Sequence, residues 1–253
     1  MKIILGILGA CLFAATSFLA TGCGGSNFSG SEALPDPKIM FMNASMDSGP
    51  VDYFLNEDLK SAGLGYLTSS NDFVTVPFIE DFDGAYDVSV LQSGATVPVD
   101  SINQVLERDK AYLVYSCGLL SFEPNVEKRM REAIIEVDRT KPVGNKARLI
   151  ILHAFCRSAG NDTPVINLQT PGDNPLFKAT GIAFGETSVL SVDSGKWTYE
   201  ARRGDTSGTT IYAEKEVTLQ SGGLYFVIVS GLEDAADPSL RPRIDFIQLT
   251  TKT

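Results

Sequence analysis

The chain of 253 residues carries one histidine, one tryptophan and four cysteines. That scarcity removes whole classes of chemistry. A Ser–His–Asp triad or a typical zinc site needs an imidazole with partners. His153 stands at the end of an apolar run, and no Gly-x-Ser-x-Gly elbow occurs anywhere. It is expected to be structural, orienting a loop. Also missing are a phosphate-cradling glycine loop, a dinucleotide fingerprint and a Cys-x-x-Cys pair. Basic residues are few, with 21 Lys and Arg against 31 Asp and Glu and a net charge of −10. Phosphate neutralisation needs clustered cations, so no nucleic-acid partner is expected. The acidity reads as solubility. No catalytic residue, cofactor or metal site is expected, and the chain reads as non-enzymatic.

Charge is also absent between Lys2 and Glu32. Met1-Lys2 gives a short positive start, and Ile3 to Ala20 is rich in Ile, Leu, Phe and Ala. That is the layout of a secretory signal rather than of a fold. The run that follows, Leu19-Ala20-Thr21-Gly22-Cys23, resembles the lipobox of bacterial lipoprotein signals. The resemblance implies a signal peptide over residues 1–22 and a lipidated Cys23 as the mature first residue. Ala20 departs from the commoner Leu at its position. Two or three acyl chains at roughly 0.8 kcal/mol per buried methylene anchor stably, where one would be marginal. The expected location is the bacterial cell envelope, on the outer membrane if Gly24 is read by the enterobacterial sorting rule. The Gly- and Ser-rich stretch after Cys23, within residues 23–37, reads as a flexible tether with a reach on the order of 20 Å.

From residue 38 onward the chain repeats itself. Lys38–Ala44 resembles Ala147–Ala154, and Pro50–Tyr53 resembles Pro164–Asn167. Gly84–Val88 aligns with Gly195–Tyr199, Tyr112–Gly118 with Tyr225–Gly231, and Ile134–Val137 with Phe246–Leu249. These pairs keep one order and a nearly constant offset, which assigns two domains, 38–140 and 147–253. Tyr86–Leu91 and Trp197–Ala201 alternate with the period of a half-buried strand. Tyr112–Tyr115 and Leu224–Val229 are continuous apolar runs, as central strands are. Asp83-Gly84, Pro171-Gly172 and Gly222-Gly223 punctuate the chain. The fold class is therefore all-β, with two tandem immunoglobulin-like β-sandwiches; small closed barrels fit almost as well. Glu127–Val137 has helical propensity, but its repeat partner alternates like a terminal strand. A strand over Ala133–Arg139, with a helical turn before it, is the expectation. Thr140–Lys146, with Pro142 and Gly144, is the linker.

The opening motifs Asn43-Ala44-Ser45-Met46-Asp47, Gly49-Pro50-Val51-Asp52 and His153-Ala154, with the strands Gly84–Val88 and Ala111–Val114, resemble the bacterial domain of unknown function 4397. The resemblance implies a secreted or lipid-anchored tandem protein and promises no activity.

Other features weigh little. Once Cys11 leaves and Cys23 is lipidated, Cys117 and Cys156 remain. An oxidising envelope permits a bridge between them, but an end-to-end tandem would hold them apart, beyond the roughly 7 Å between Cα atoms that a bridge spans; a side-by-side packing of the domains would reverse that. Separate buried thiols are expected. Glu80-Asp81-Phe82-Asp83-Gly84 and Glu233-Asp234 with Asp237 lack the spacing of a calcium loop and read as solvated turns. Trp197, Tyr199, Tyr66 and Tyr86 could form a sugar platform. The equivalence of Trp197 and Tyr86 in the repeat points to core packing instead. The expected function is binding or surface assembly by a lipid-anchored protein with an unknown protein or glycan partner. A carbohydrate- or peptide-binding module is the alternative, and a glycoside hydrolase working through carboxylates alone is a third.

Overall fold

The computed structural model describes residues 33–80, 83–120, 128–156, 163–204, 210–233 and 235–252. The signal-like run, Cys23 and the tether before Ala33 lie outside them, as do Asp81, Phe82 and Asp234. Leu34–Thr253 forms one compact unit.

Strands account for all the regular structure among these residues except short 3-10 turns such as Pro238–Leu240. The first repeat contains β1 (Lys38–Asn43), β2 (Val51–Leu55), β3 (Asp58–Leu64), β4 (Thr68–Ser69), β5 (Val74–Thr75), β6 (Ala85–Gln92), β7 (Asp100–Val105), β8 (Ala111–Cys117) and β9 (Arg131–Glu136). The second contains β10 (Lys146–Cys156), β11 (Ile166–Gln169), β12 (Lys178–Ile182), β13 (Thr187–Asp193), β14 (Gly195–Arg203), β15 (Ile211–Leu219), β16 (Leu224–Leu232) and β17 (Arg243–Leu249).

Each repeat makes two four-strand paths. In the first they run β4-β1-β8-β9, with β5 also on β1, and β3-β2-β6-β7; in the second, β13-β10-β16-β17 and β12-β11-β14-β15. The two topologies are the same apart from β5, which has no counterpart in the second repeat. In both, the first strand pairs parallel with the penultimate one, Asn43 beside Ser116 and His153 beside Val229. The all-β, immunoglobulin-like sandwich expected from the sequence is the observed fold.

Three apolar layers hold the molecule together. Ile39, Phe41, Tyr53, Val88 and Val114 fill the first sandwich. Leu149, Ile151, Phe155, Leu168, Tyr199 and Val227 fill the second. The third layer lies between the sandwiches, where Met40, Met42, Leu113 and Tyr115 meet Ile150, Leu152, Phe226 and Ile228. Alternate residues of β1, β8, β10 and β16 thus face opposite layers, which is why these strands read as unbroken apolar runs.

This third layer corrects the expected end-to-end tandem. The sandwiches pack side by side, sheet face on sheet face, while Cys117 and Cys156 are separate buried thiols, as expected. The contact is also isologous: Met42 and Leu152, Leu113 and Phe226, and Val137 and Leu249 occupy equivalent repeat positions and all belong to it.

The strand expected over Ala133–Arg139 starts two residues earlier, at Arg131, and ends at Glu136. Pairing with β8 overrides helical propensity, because Ile134 enters the first core while Ile135 faces the second sandwich. Gly118 directly follows β8 and Gly231 is the next-to-last residue of β16, at φ +103° and +117°. A Cβ on either would stand 2.5 Å from the carbonyl oxygen of Arg129 or Arg241. The strand leading into the last strand crosses so closely that no side chain fits.

Candidate functional site

A groove of about 680 Å³ lies at the end of the first sandwich where the described chain begins. Its volume lies in the range of ligand sites. Leu34, Pro35 and Asp36 form one wall. The β7–β8 turn, Glu107 to Lys110, forms another, and the stretch after β9, Glu136 to Thr140, a third. Lys252, from the end of the second repeat, closes it.

Local backbone bonds set these walls. Asp109, in the left-handed region at φ +59°, donates its amide to the Pro35 carbonyl at 2.7 Å. Lys38 donates to the Lys110 carbonyl at 2.9 Å, and Val137 to the Ala111 carbonyl at 2.7 Å. Exposed Leu34 supplies apolar surface between the charges, and the buried Ala111 and Val137 floor them.

Charge in the groove is plentiful and paired. Arg108 bridges Asp36 at 3.0 Å and also meets Glu80, with its guanidinium 4.4 Å from the Phe78 ring centre. Lys110 meets Glu136 at 2.7 Å, Lys252 meets Asp109 at 2.6 Å, and Arg148 meets Asp138 at 2.8 Å. Arg139 donates to the Thr250 carbonyl at 2.9 Å and lies over Phe73. The Glu136 carboxylate holds the Lys110 ammonium above its usual value. Partial burial works against ionisation of Asp138, but the Thr140 hydroxyl and amide, together with Arg148, outweigh it and hold the carboxyl low.

A general acid needs a carboxyl kept protonated near neutrality. The carboxyl here raised to about 9 is Glu132, by burial first and then by Asp100 and Asp87. Glu132 is 5% exposed on β9, beside Ser116, and neither oxygen has a hydrogen-bond partner. It lines no part of the groove, and its burial denies a substrate approach.

The residues singled out by sequence fall into structural roles. Asn43 is fully buried. Its amide donates to Ser48 Oγ, Gly49 O and Leu64 O, and its carbonyl accepts from the Ser45 amide and the Ser116 hydroxyl. His153, at the equivalent position, is also fully buried and bonds the Ile182 carbonyl through Nδ1 at 3.0 Å. Because a carbonyl only accepts, Nδ1 carries the proton. Burial pushes the imidazole down to about 4, despite the backbone bonds that oppose this. Leu64 and Ile182 end β3 and β12. In both repeats the same side-chain position therefore pins the crossover from one sheet to the other. The Asn43-Ala44 and His153-Ala154 motifs are clasps.

Packing consumes the aromatic candidates. Tyr199 and Tyr86 are core residues, and Tyr86 donates its hydroxyl to the Pro77 carbonyl. Trp197 lies against the second core, edge-on to Phe177, with Nε1 bound to Asp193 O at 2.9 Å. Tyr66 donates to Ser230 Oγ at 2.7 Å. Among the acidic candidates, Glu80 pairs with Arg108 and Asp237 caps the turn at Ser239. Among the described residues no three His, Cys, Asp or Glu side chains gather as metal ligands do.

Sequence reasoning missed the groove. Its residues are spread over four segments, and the signal that gathers them is the side-by-side packing that brings Lys252 to Asp109.

No family model matches the chain, and no curated protein matches it. Among solved structures it is similar to a carbohydrate-binding module of family CBM26 from Eubacterium rectale Amy13K, in complex with maltoheptaose. That likeness covers 86% of this chain and 98% of the other at 10% identity, with a TM-score of 0.25. At that level it carries no argument about ligand or activity.

Proposed function

We propose that this chain is a non-enzymatic, envelope-anchored lipoprotein, lipidated at Cys23, that holds a peptide segment of a protein partner in the groove beside its tether. The carrying observation is the groove itself: about 680 Å³, with Leu34 on its wall, so that it opens where the chain from Cys23 arrives. The tether between them reaches on the order of 20 Å, which holds the groove near the membrane surface.

The lining suits a peptide. The exposed Leu34 side chain stands among paired cations and carboxylates. A ligand with charge of one sign must break these pairs, whereas a peptide can exchange them with charges and amides of its own. Sugars favour an aromatic ring to stack on, and among the described residues no aromatic side chain lines this groove. Trp197, the strongest platform candidate, is tied down by Phe177 and Asp193.

The test is a thermal-shift screen of the full chain, purified from membranes in detergent, against short peptides of mixed charge, oligosaccharides and peptidoglycan fragments. A ligand at about 100 times its dissociation constant adds roughly 2.7 kcal/mol of stability, a rise of several degrees. A shift with peptides supports the reading. A shift with oligosaccharides alone replaces it with the carbohydrate-binding alternative. Turnover of any of these compounds ends the non-enzymatic claim.

A further inference from the structure

We propose that Cys117 and Cys156 are a disulfide site that staples the two sandwiches together when the chain folds in an oxidising compartment. For its occurrence in cells, the inference rests on the envelope reading above.

Both residues are thiols in the structure, and both are fully buried. Cys117 ends β8 and belongs to the layer between the sandwiches. Cys156 ends β10 and follows the alternation of Ile150, Leu152 and Ala154, which face that same layer from the other side. Bonds across the interface bring these strand ends together. Two residues before Cys117, Tyr115 donates to the Gly185 carbonyl at 3.1 Å, and the neighbouring Glu186 carbonyl accepts the amide of His153 on β10 at 3.1 Å. On the other flank Tyr66, from the first sandwich, reaches Ser230, which stands beside Ala154.

The chemistry is a two-electron oxidation. Two thiols lose two protons and two electrons, and the S–S bond forms. A disulfide carrier, either a protein oxidoreductase or oxidised glutathione, is reduced to two thiols. The thiolate is the attacking species. Burial pushes Cys117 up to about 11 and Cys156 up to about 12. The bridge therefore closes while the interface is still assembling, and the finished interface protects it from reduction.

The experiment refolds the full chain with oxidised and reduced glutathione, blocks free thiols with iodoacetamide in denaturant, and maps the tryptic peptides. The expected product joins peptide 111–128 to peptide 149–157. The bridged chain should melt roughly 5–10 °C above the same chain kept in dithiothreitol. Cys117→Ser provides the control. Serine already occupies the equivalent position, Ser230, so this variant should fold and show no redox-dependent shift. Both thiols alkylated after oxidative refolding would overturn the proposal.

The same mapping on chain taken from cells separates the two claims. A lipidated Cys23 with the pair bridged supports both. A lipidated Cys23 with both thiols free overturns the staple. An unlipidated chain that bridges on refolding overturns the envelope reading and leaves the site standing.

Discussion

The hydroxyl of Tyr66 donates to that of Ser230 at 2.7 Å, tying the turn after β3 in one sandwich to β16 in the other. The reciprocal tie runs from Tyr115 to Gly185, in the turn after β12. Below them, Arg139 and Lys252 exchange backbone bonds with the opposite chain ends: Arg139 Nε reaches Thr250 O, and the Lys252 amide reaches Arg139 O at 2.7 Å. Each repeat does to the other what the other does to it.

That reciprocity predicts one cooperative unit. Phe226 is fully buried in the shared layer, with its ring 6.0 Å from that of Tyr115. Phe226→Ala should cost about 3–5 kcal/mol, and urea unfolding should remain a single transition by fluorescence and circular dichroism alike. Two separated transitions, with only the second repeat weakened, would mean that the sandwiches unfold independently.

The crossing glycines give a sharper local test. Gly118→Ala and Gly231→Ala each force a Cβ to within 2.5 Å of a backbone oxygen at strongly positive φ. Each should destabilise by roughly 2 kcal/mol or more, measured as a shift in the urea midpoint at constant slope. Gly49→Ala is the comparison, since open space surrounds that position and only its φ of +66° opposes the change. It should cost less.

Much of this was legible in the sequence because it repeats. The repeat aligned Tyr112–Gly118 with Tyr225–Gly231 and put a strand over Ala133–Arg139 against helical propensity; the strand formed is Arg131–Glu136. The continuous apolar runs Tyr112–Tyr115 and Leu224–Val229 already implied burial on both faces. What the second face meets is not written in periodicity, so the side-by-side packing was missed, and the groove with it. The hairpin between β2 and β3 was equally hidden. It turns on Asn56 and Glu57, at φ 49° and 69°, where a glycine would be the usual signal.

Stability should fall on the acid side because of His153. Its folded value near 4 lies below the usual 6.5. Between those values the unfolded chain binds the proton and the folded one does not, so stability drops as pH falls from 6.5 toward 4, by up to about 3 kcal/mol. His153→Asn copies the residue that performs the same task at position 43. It should fold and lose that acid-side slope. An unchanged slope in the variant, followed by thermal melts across pH, would refute the assignment.

Glu132 acts in the opposite sense. Its folded value of about 9 lies above the usual 4.5, so stability from this site is full below pH 4.5 and declines as pH rises to 9. Glu132→Gln removes that decline and should raise stability at pH 7 by roughly 2–3 kcal/mol, an upper figure for one buried carboxyl. A variant no more stable than the parent at pH 7 would show that the carboxyl finds water or a partner in solution.

The most direct test of the central claim is a binding selection. A random peptide library is enriched on the full chain, and the selected peptides are titrated against Lys110→Glu and Lys141→Glu variants. Lys110 lines the groove and pairs with Glu136, whereas Lys141 lies outside it, near Gly222. The account predicts at least a tenfold loss of affinity for Lys110→Glu and none for Lys141→Glu. Peptides that bind both variants as tightly as the parent, or a selection that yields no binder, would contradict it.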